Sequence, residues 1–333
     1  MPWSGILAVG GGAAVGAWLR WALGVLLNPV FPTLPLGTLA ANLIGGLMMG
    51  MAMELLTRHA AMPPEVRLLV TTGLLGGLTT FSAFSAEVVT LLLRREYLWG
   101  SIAIGAHVAG SIATTIAGIW LVRALYAWII AMAVGSVIGT IRTTQQPWLV
   151  RFGNAWVELF RNIPLLVQMF LWYFVIPEFI PPLKTWIVRV DPLYGQFVLA
   201  VICLGLFTSA RVAEQVRAGI QSLPRGQRMA GMALGLTQPQ VYRFVLLPMA
   251  FRIVIPPLTS ETMNLIKNSS IALTIGLAEL TFRSREMGEY TFHFFEAFTA
   301  ATLVYIVIAM TANRVMAFVE RRVAVPGYIA GGK

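Results

Sequence analysis

Uncharged, apolar stretches long enough to cross a bilayer recur along this chain. Residues 22–53, 68–86 and 97–122 carry no Asp, Glu, Lys or Arg. Crossing the hydrocarbon core takes about 20 apolar residues in helical form. Only helices and closed barrels satisfy their backbone polar groups at that depth. A barrel would show alternating segments of about 10 residues, and no such alternation is present. The composition agrees: 11% of residues are charged and 57% hydrophobic, where soluble domains carry about 25% charged residues. The sequence predicts an all-α polytopic membrane protein.

The net charge is +10, from 24 Lys and Arg against 14 Asp and Glu. These charges fall between the apolar runs, so they read as topology signals rather than a nucleic-acid footprint, and no nucleic-acid partner is expected. Residues 1–124 hold 6 basic and 4 acidic residues, and residues 125–333 hold 18 and 10. The two halves obey different charge rules, the first sign of a join near residue 124. The single cysteine, Cys203, lies in an apolar run, which leaves no intrachain disulfide and no multi-Cys metal site. His59, His107 and His293 are scattered. Gly10-Gly11-Gly12 opens an apolar helix with no strand before it, unlike a dinucleotide fingerprint. The first residues lack a basic region, so a cleaved signal peptide is not expected. No nucleophile, base and orienting group stand together, so an enzyme is not expected.

In residues 1–124 four spans are predicted, at 4–27, 36–57, 66–93 and 98–122. Pro32, Pro35, Pro63, Pro64 and Arg94-Arg95-Glu96 mark the connections. Glycines are dense on these helices, which lets backbones approach closely in lipid. Three polar features stand out: Arg20 in the first span, Asn42 within GTLAANLIGG (37–46), and GLLGGLTTFSAFS (73–85) in the third. Gly-Gly before Leu-Thr-Thr predicts a mid-membrane break, where freed carbonyls could hold a small cation. Phe81 and Phe84 follow at i,i+3, on one face. An aromatic ring edge is electropositive and can face a small anion, with Ser82, Ser85 and Glu87 adding polar groups beside it. These runs, with Gly16, Arg20 and Trp21, resemble the CrcB/Fluc family of fluoride channels over 1–122. The resemblance implies an anion path lined by Phe81, Phe84 and Asn42 and continued by Ser82 and Ser85. It implies a structural sodium ion on the backbone carbonyls of Gly76 and Thr79, a stabilising role for Arg20, and an antiparallel homodimer. Ala83 stands where the family often has Thr, and His107 where Asn is common. His107 is read as an inter-helix hydrogen bond ahead of an ion ligand.

In residues 125–333 five spans are predicted, at 125–141, 163–180, 195–212, 251–280 and 297–318. The stretch 214–248 carries Arg217, Arg225, Arg228 and Arg243 against one acid, Glu214, and belongs on the cytoplasmic side. Its grammar is helix, turn, helix: Gly235 suits a C-cap, and Thr237 with Gln240 suits a capping box with Pro239 in the first turn. Such a pair is either an inert surface feature or an insert for a partner's groove. The Ser-Leu-Pro-x-Gly-Gln string, Ala-Leu-Gly-Leu-Thr and the closing Leu-Leu-Pro resemble the EAA loop of ATP-binding-cassette importer permeases. ELFRNIPLLVQ (158–168) and PPLTSETMNLIKNSSIA (256–272) are similar to the polar amino-acid subfamily, closest to permeases for glutamate and aspartate. The resemblance implies a four-helix channel module followed by a five-helix type I importer permease module, in a bacterial inner membrane. Its implied partners are a cytosolic ATPase, a second permease subunit and a periplasmic amino-acid binding protein. ATPase coupling falls to Met229, Ala230, Gly231, Gly235 and Leu236. Met229-Ala230-Gly231 replaces the family's Glu-Ala-Ala, which removes one polar contact.

Glu261, Asn264 and Asn268 share a helix face at i, i+3 and i+7, with Lys267 and Ser269 nearby. Ionisable residues within spans mark a pathway or an internal pair. Both readings stay open: a substrate path in which Lys267 or Asn meets carboxylates, or a structural Glu261–Lys267 pair.

From 101 to 141 there is one charge, Arg123, and no proline. As one helix this segment would extend about 60 Å, twice the hydrocarbon thickness. A fold-back near Arg123-Ala124-Leu125-Tyr126 is expected, or an exit of part of the segment from the bilayer. The fold-back gives about nine spans, the amino terminus outside and the carboxyl terminus inside, and leaves a short first permease span. Three functions stay open: an importer subunit, a passive fluoride channel with a vestigial tail, or a fusion, natural or from sequence assembly, in which neither module works.

Overall fold

The computed structural model describes residues 3–58, 62–277 and 280–323. Every regular element among them is helical. The chain divides into two compact units, Met1–Arg123 and Ala124–Lys333.

In the first unit, α1 (Trp3–Leu27) and α2 (Leu36–Arg58) are followed by the run Pro64–Leu93. That run is not one rod. It consists of α3 (64–78), whose middle Leu68–Leu75 winds as wide π turns, and α4 (Phe81–Leu93). The two are separated by Thr79 and Thr80 in extended conformation. Glycines do their work here as close approaches. A Cβ on Gly16 would strike the Leu74 carbonyl of α3, and one on Gly50 would strike the Thr115 carbonyl. Phe84, Val88 and Leu91 of α4 build a buried cluster with Leu34 and Ala103.

The expected fold-back at Arg123 is absent. Helix α5 runs unbroken from Tyr97 to Ile141. No proline interrupts it, and the Arg123 charge is met from the side. Arg123 Nε and Nη2 donate to the two Glu54 carboxylate oxygens at 3.0 and 3.2 Å, and the guanidinium lies 4.5 Å from the Trp120 ring centre. A charge paired within the fold gives the chain no reason to turn back toward water. The 45-residue helix is about 68 Å long, so part of it extends beyond a bilayer core. Among the described residues seven helices are long and apolar enough to cross a membrane, or eight if one bent pair counts as a span. The expected nine are reduced by the merging of 98–122 with 125–141.

The bent pair follows α5 in the second unit. Amphipathic α6 (Pro147–Asn162) meets Leu165–Phe179 (α7) at 100°. Pro164 cannot donate to a helical ladder, and the Gln168 amide takes up the loose carbonyls, donating to Phe160 O and Ile163 O at 2.9 and 2.8 Å. Short α8 (Pro181–Arg189) leads to α9 (Pro192–Gln221), the most buried of the candidate spans. Next come α10 (Arg225–Ala233), α11 (Gln238–Ile275), α12 (Leu280–Thr291) and α13 (Phe294–Val323). Val212, Val216 and Ile220 of α9 pack on Ala250, Val254 and Leu258 of α11.

Candidate functional sites

In the first unit the sequence-predicted residues converge on the break after α3. Asn42 acts as a substitute peptide group. Its Oδ1 accepts the Thr80 N–H at 2.8 Å, and its Nδ2 donates to Thr80 O at 3.1 Å. A side-chain amide thus supplies the pairing that helical turns would have given, and both backbone groups of a buried residue are satisfied. The Thr80 hydroxyl caps α4 by accepting from Ala83 N–H at 3.2 Å, and it stands 3.2 Å from the Ser82 hydroxyl. Arg20 Nη1 donates to Thr79 O at 3.3 Å.

The two phenylalanines are placed differently. Phe81 is 78% exposed and Phe84 only 7%. They meet edge to face at 5.5 Å. Ser85 spends its hydroxyl on the Phe81 carbonyl at 2.9 Å. Thr38 donates to Glu87 at 2.5 Å. The hydrogen bond expected of His107 is present: Asn42 Nδ2 lies 3.0 Å from its Nδ1. With the amide donating, Nδ1 is the acceptor and the proton sits on Nε2, which is buried and has no hydrogen-bond partner among the described residues. The ring stacks on Phe84 at 4.6 Å.

In the second unit the loop after α9 has the predicted grammar. Gly235 adopts φ +82, the left-handed region that glycine enters without a Cβ penalty. Gly235 N–H donates to Met232 O and Leu236 N–H to Gly231 O, at 3.0 and 3.2 Å. These are the two bonds of a Schellman C-cap. Thr237 N–H donates to Gln240 Oε1 at 2.8 Å, as a capping box requires. Gly231 is buried against Val241, while Met229, Met232 and Leu234 stand exposed.

The polar residues of α11 do not act as one group. Lys267 lines a cavity of about 370 Å³ with Ser270, Thr281, Thr302 and Tyr305. Glu261 is 8% exposed and turns instead to α9, where Arg211 lies 3.8 Å away. The Glu261–Lys267 pair is thus replaced by Glu261–Arg211. Asn264 and Asn268 are half-buried.

Two arginines escaped the sequence reading. Arg211 ends the uncharged run 192–210, and that position was its signal. Arg142 is 5% exposed and donates to Glu214 at 3.0 Å and to Asn154 at 2.9 Å. Close by, the Tyr242 hydroxyl donates to Thr143 O at 2.8 Å, tying the start of α11 to the end of α5.

Residues 7–119 match the family described as CrcB-like protein, Camphor Resistance (CrcB), and residues 131–325 match the binding-protein-dependent transport system inner membrane component family. The chain belongs to both families. Over 207 residues it is 52% identical to the glutamate/aspartate import permease protein GltJ of Escherichia coli K12, which covers 62% of this chain and 84% of that permease. Over 118 residues it is 58% identical to the fluoride-specific ion channel FluC of Nitrosospira multiformis, covering 35% of this chain and 92% of that channel. Among solved structures, an amino acid ABC transporter crystallised with histidines is similar at a TM-score of 0.52 and 28% identity, over 61% of this chain and 90% of the other. Both families are membrane transport families, so the chain is a multi-pass inner-membrane protein.

Proposed function

We propose that residues 125–333 serve as a membrane subunit of an ATP-driven importer of acidic amino acids, and that residues 1–124 are a fluoride channel subunit. The importer reading is carried by the Schellman turn at Gly235. It presents Met229, Met232 and Leu234 on an exposed, rigid corner, the form of an insert for a groove on a cytosolic ATPase. That partner hydrolyses ATP. A second permease and an extracytoplasmic binding protein complete the assembly. Lys267, with Asn264 and Asn268, meets substrate carboxylates. The deciding experiment is uptake of labelled glutamate and aspartate in cells holding this chain and its ATPase. Uptake unaffected by deletion of the chain sinks the reading.

For the first unit, fluoride passes along the Phe81 edge and the Asn42, Ser82 and Ser85 polar groups. A structural sodium ion fits the break at Thr79-Thr80. The Gly76 carbonyl faces no Thr80 N–H, because Asn42 has taken that donor. The Thr79 carbonyl accepts one bond from Arg20 and keeps a second lone pair. Unwound carbonyls of this kind suit sodium, and Gly76 and Thr79 would hold it. Bound there, it supplies positive charge and rigidity, while Arg20 fixes the Thr79 carbonyl.

A further inference from the structure

Arg211 and Glu261 form an ion pair that is left incomplete. The contact is 3.8 Å, longer than a hydrogen bond. Glu261 Oε2 is buried and accepts no hydrogen bond from the described residues. Among the described residues the guanidinium has no other polar partner, and its remaining neighbour is the Phe207 ring, 5.3 Å from Cζ. A buried carboxylate normally collects hydrogen bonds, and an arginine carries five donors in a rigid fork. Here both are held close with most of their capacity unspent. The Arg211 side chain is also 42% exposed, although it follows 19 uncharged residues, 192–210. An arginine within a span does not face lipid tails without a large penalty. The 19 residues before it make about 28 Å of helix, close to the hydrocarbon thickness, so Arg211 stands near the end of the crossing, where water reaches.

The geometry points to Arg211 and Glu261 as a clamp for the head of the transported amino acid, with Arg211 on the α-carboxylate and Glu261 on the α-ammonium. Every free amino acid carries these opposite charges on one carbon, a few ångströms apart, which matches the spacing of the pair. The clamp is neutral and so is the amino-acid head. Lys267 lies six residues beyond Glu261, about 9 Å along the helix and on another face. It adds the single positive charge that a side-chain carboxylate needs. The clamp rests on the importer reading above and gives that site its recognition of the amino-acid head.

The test uses the full chain purified with the second permease and the ATPase, without the binding protein, after glutamate uptake by the intact system has been confirmed. Absence of that uptake overturns the importer reading itself. Labelled glutamate is displaced by unlabelled glutamate or by 4-aminobutyrate, which lacks the α-carboxylate. In the wild type 4-aminobutyrate should bind at least about tenfold more weakly than glutamate. Arg211→Gln should weaken glutamate by about tenfold or more and leave 4-aminobutyrate within about twofold, the signature of a direct pairing in a double-change cycle. Arg211→Lys should recover most of the glutamate affinity. Should Arg211→Gln not assemble, Glu261→Gln with glutarate, which lacks the ammonium, gives the mirror test: glutamate weakens and glutarate does not. Equal weakening of substrate and truncated analogue shows a merely structural pair and overturns the clamp. So does an unchanged glutamate affinity, or intact uptake with no binding to the wild-type complex.

Discussion

Asn42 bonds both backbone groups of Thr80, so its removal acts on the fold as well as on any anion path. Asn42→Ala leaves a buried N–H and a buried C=O unpaired, at about 1–3 kcal/mol each. The thermal unfolding midpoint of the detergent-solubilised chain should fall, and an unchanged midpoint would show that water or a neighbour replaces the amide. Phe81 is the contrasting case. It is exposed and contacts Phe84 by its edge, so Phe81→Ile should leave the midpoint nearly unmoved while removing the fluoride conduction of a shortened chain of residues 1–124. At this scale the sequence exposes what depends on local spacing. The break at Thr79-Thr80 follows from neighbours in the chain. The long-range partners do not: Asn42 and Thr80 are 38 residues apart, and only folding shows that a side-chain amide pairs with the broken strand of backbone. The i,i+3 spacing of Phe81 and Phe84 is legible too, but it cannot say that one ring faces outward and the other is packed against His107.

The helices and their ends were largely readable because capping chemistry is local. Gly235, Thr237 and Gln240 declare a turn by residue type alone, and the bonds found there match. Gly235→Val forces a β-branched residue into left-handed backbone, at about 1–2 kcal/mol. An added Cβ there meets nothing within 4 Å, so the effect is confined to the backbone of the corner. Co-purification of the ATPase should be lost. Gly226→Ala, equally open but without a positive φ, should retain it; loss in both would mean that the loop is generally fragile and not a docking corner. What stayed illegible is the fate of charges inside helices. Arg123 invites a turn when read alone, yet its carboxylate partner Glu54 lies 69 residues earlier and holds it in a continuous helix. Glu261 invites a pair with Lys267 six residues on, yet it turns to Arg211 on a different helix. Apolar periodicity places an element in the membrane; it does not choose which face meets which neighbour.

The continuous α5 changes the count of crossings and, where the bent α6–α7 pair crosses as one span, the sidedness. If the basic 214–248 loop is cytoplasmic, eight crossings put the amino terminus on the cytoplasmic side and the 94–96 turn outside. A cysteine at Ser4 should be labelled only after permeabilisation, and one at Glu96 from outside intact cells; the opposite pattern means an odd count, seven if the bent α6–α7 pair does not cross or nine if the chain folds back at Arg123. The same basic loop bears on conduction. The pore implied by the fluoride-channel likeness lies between two antiparallel copies, so one copy would have to insert inverted. Inversion carries Arg217, Arg225, Arg228 and Arg243 across the membrane, at about 2.5–3.5 kcal/mol for each charge at mid-membrane, and basic loops fix orientation strongly. Two full-length copies therefore share one orientation. Liposomes holding the full chain should show little fluoride efflux, whereas a shortened chain of residues 1–124, with its nearly balanced 6 basic and 4 acidic residues, should insert both ways and conduct. Replacing the four arginines of the loop by glutamine in the full chain should partly restore efflux, because it weakens the orientation signal without touching the path. Strong efflux from the unaltered full chain would show that inverted copies form despite the loop, and the dependence of conduction on orientation would fall with it.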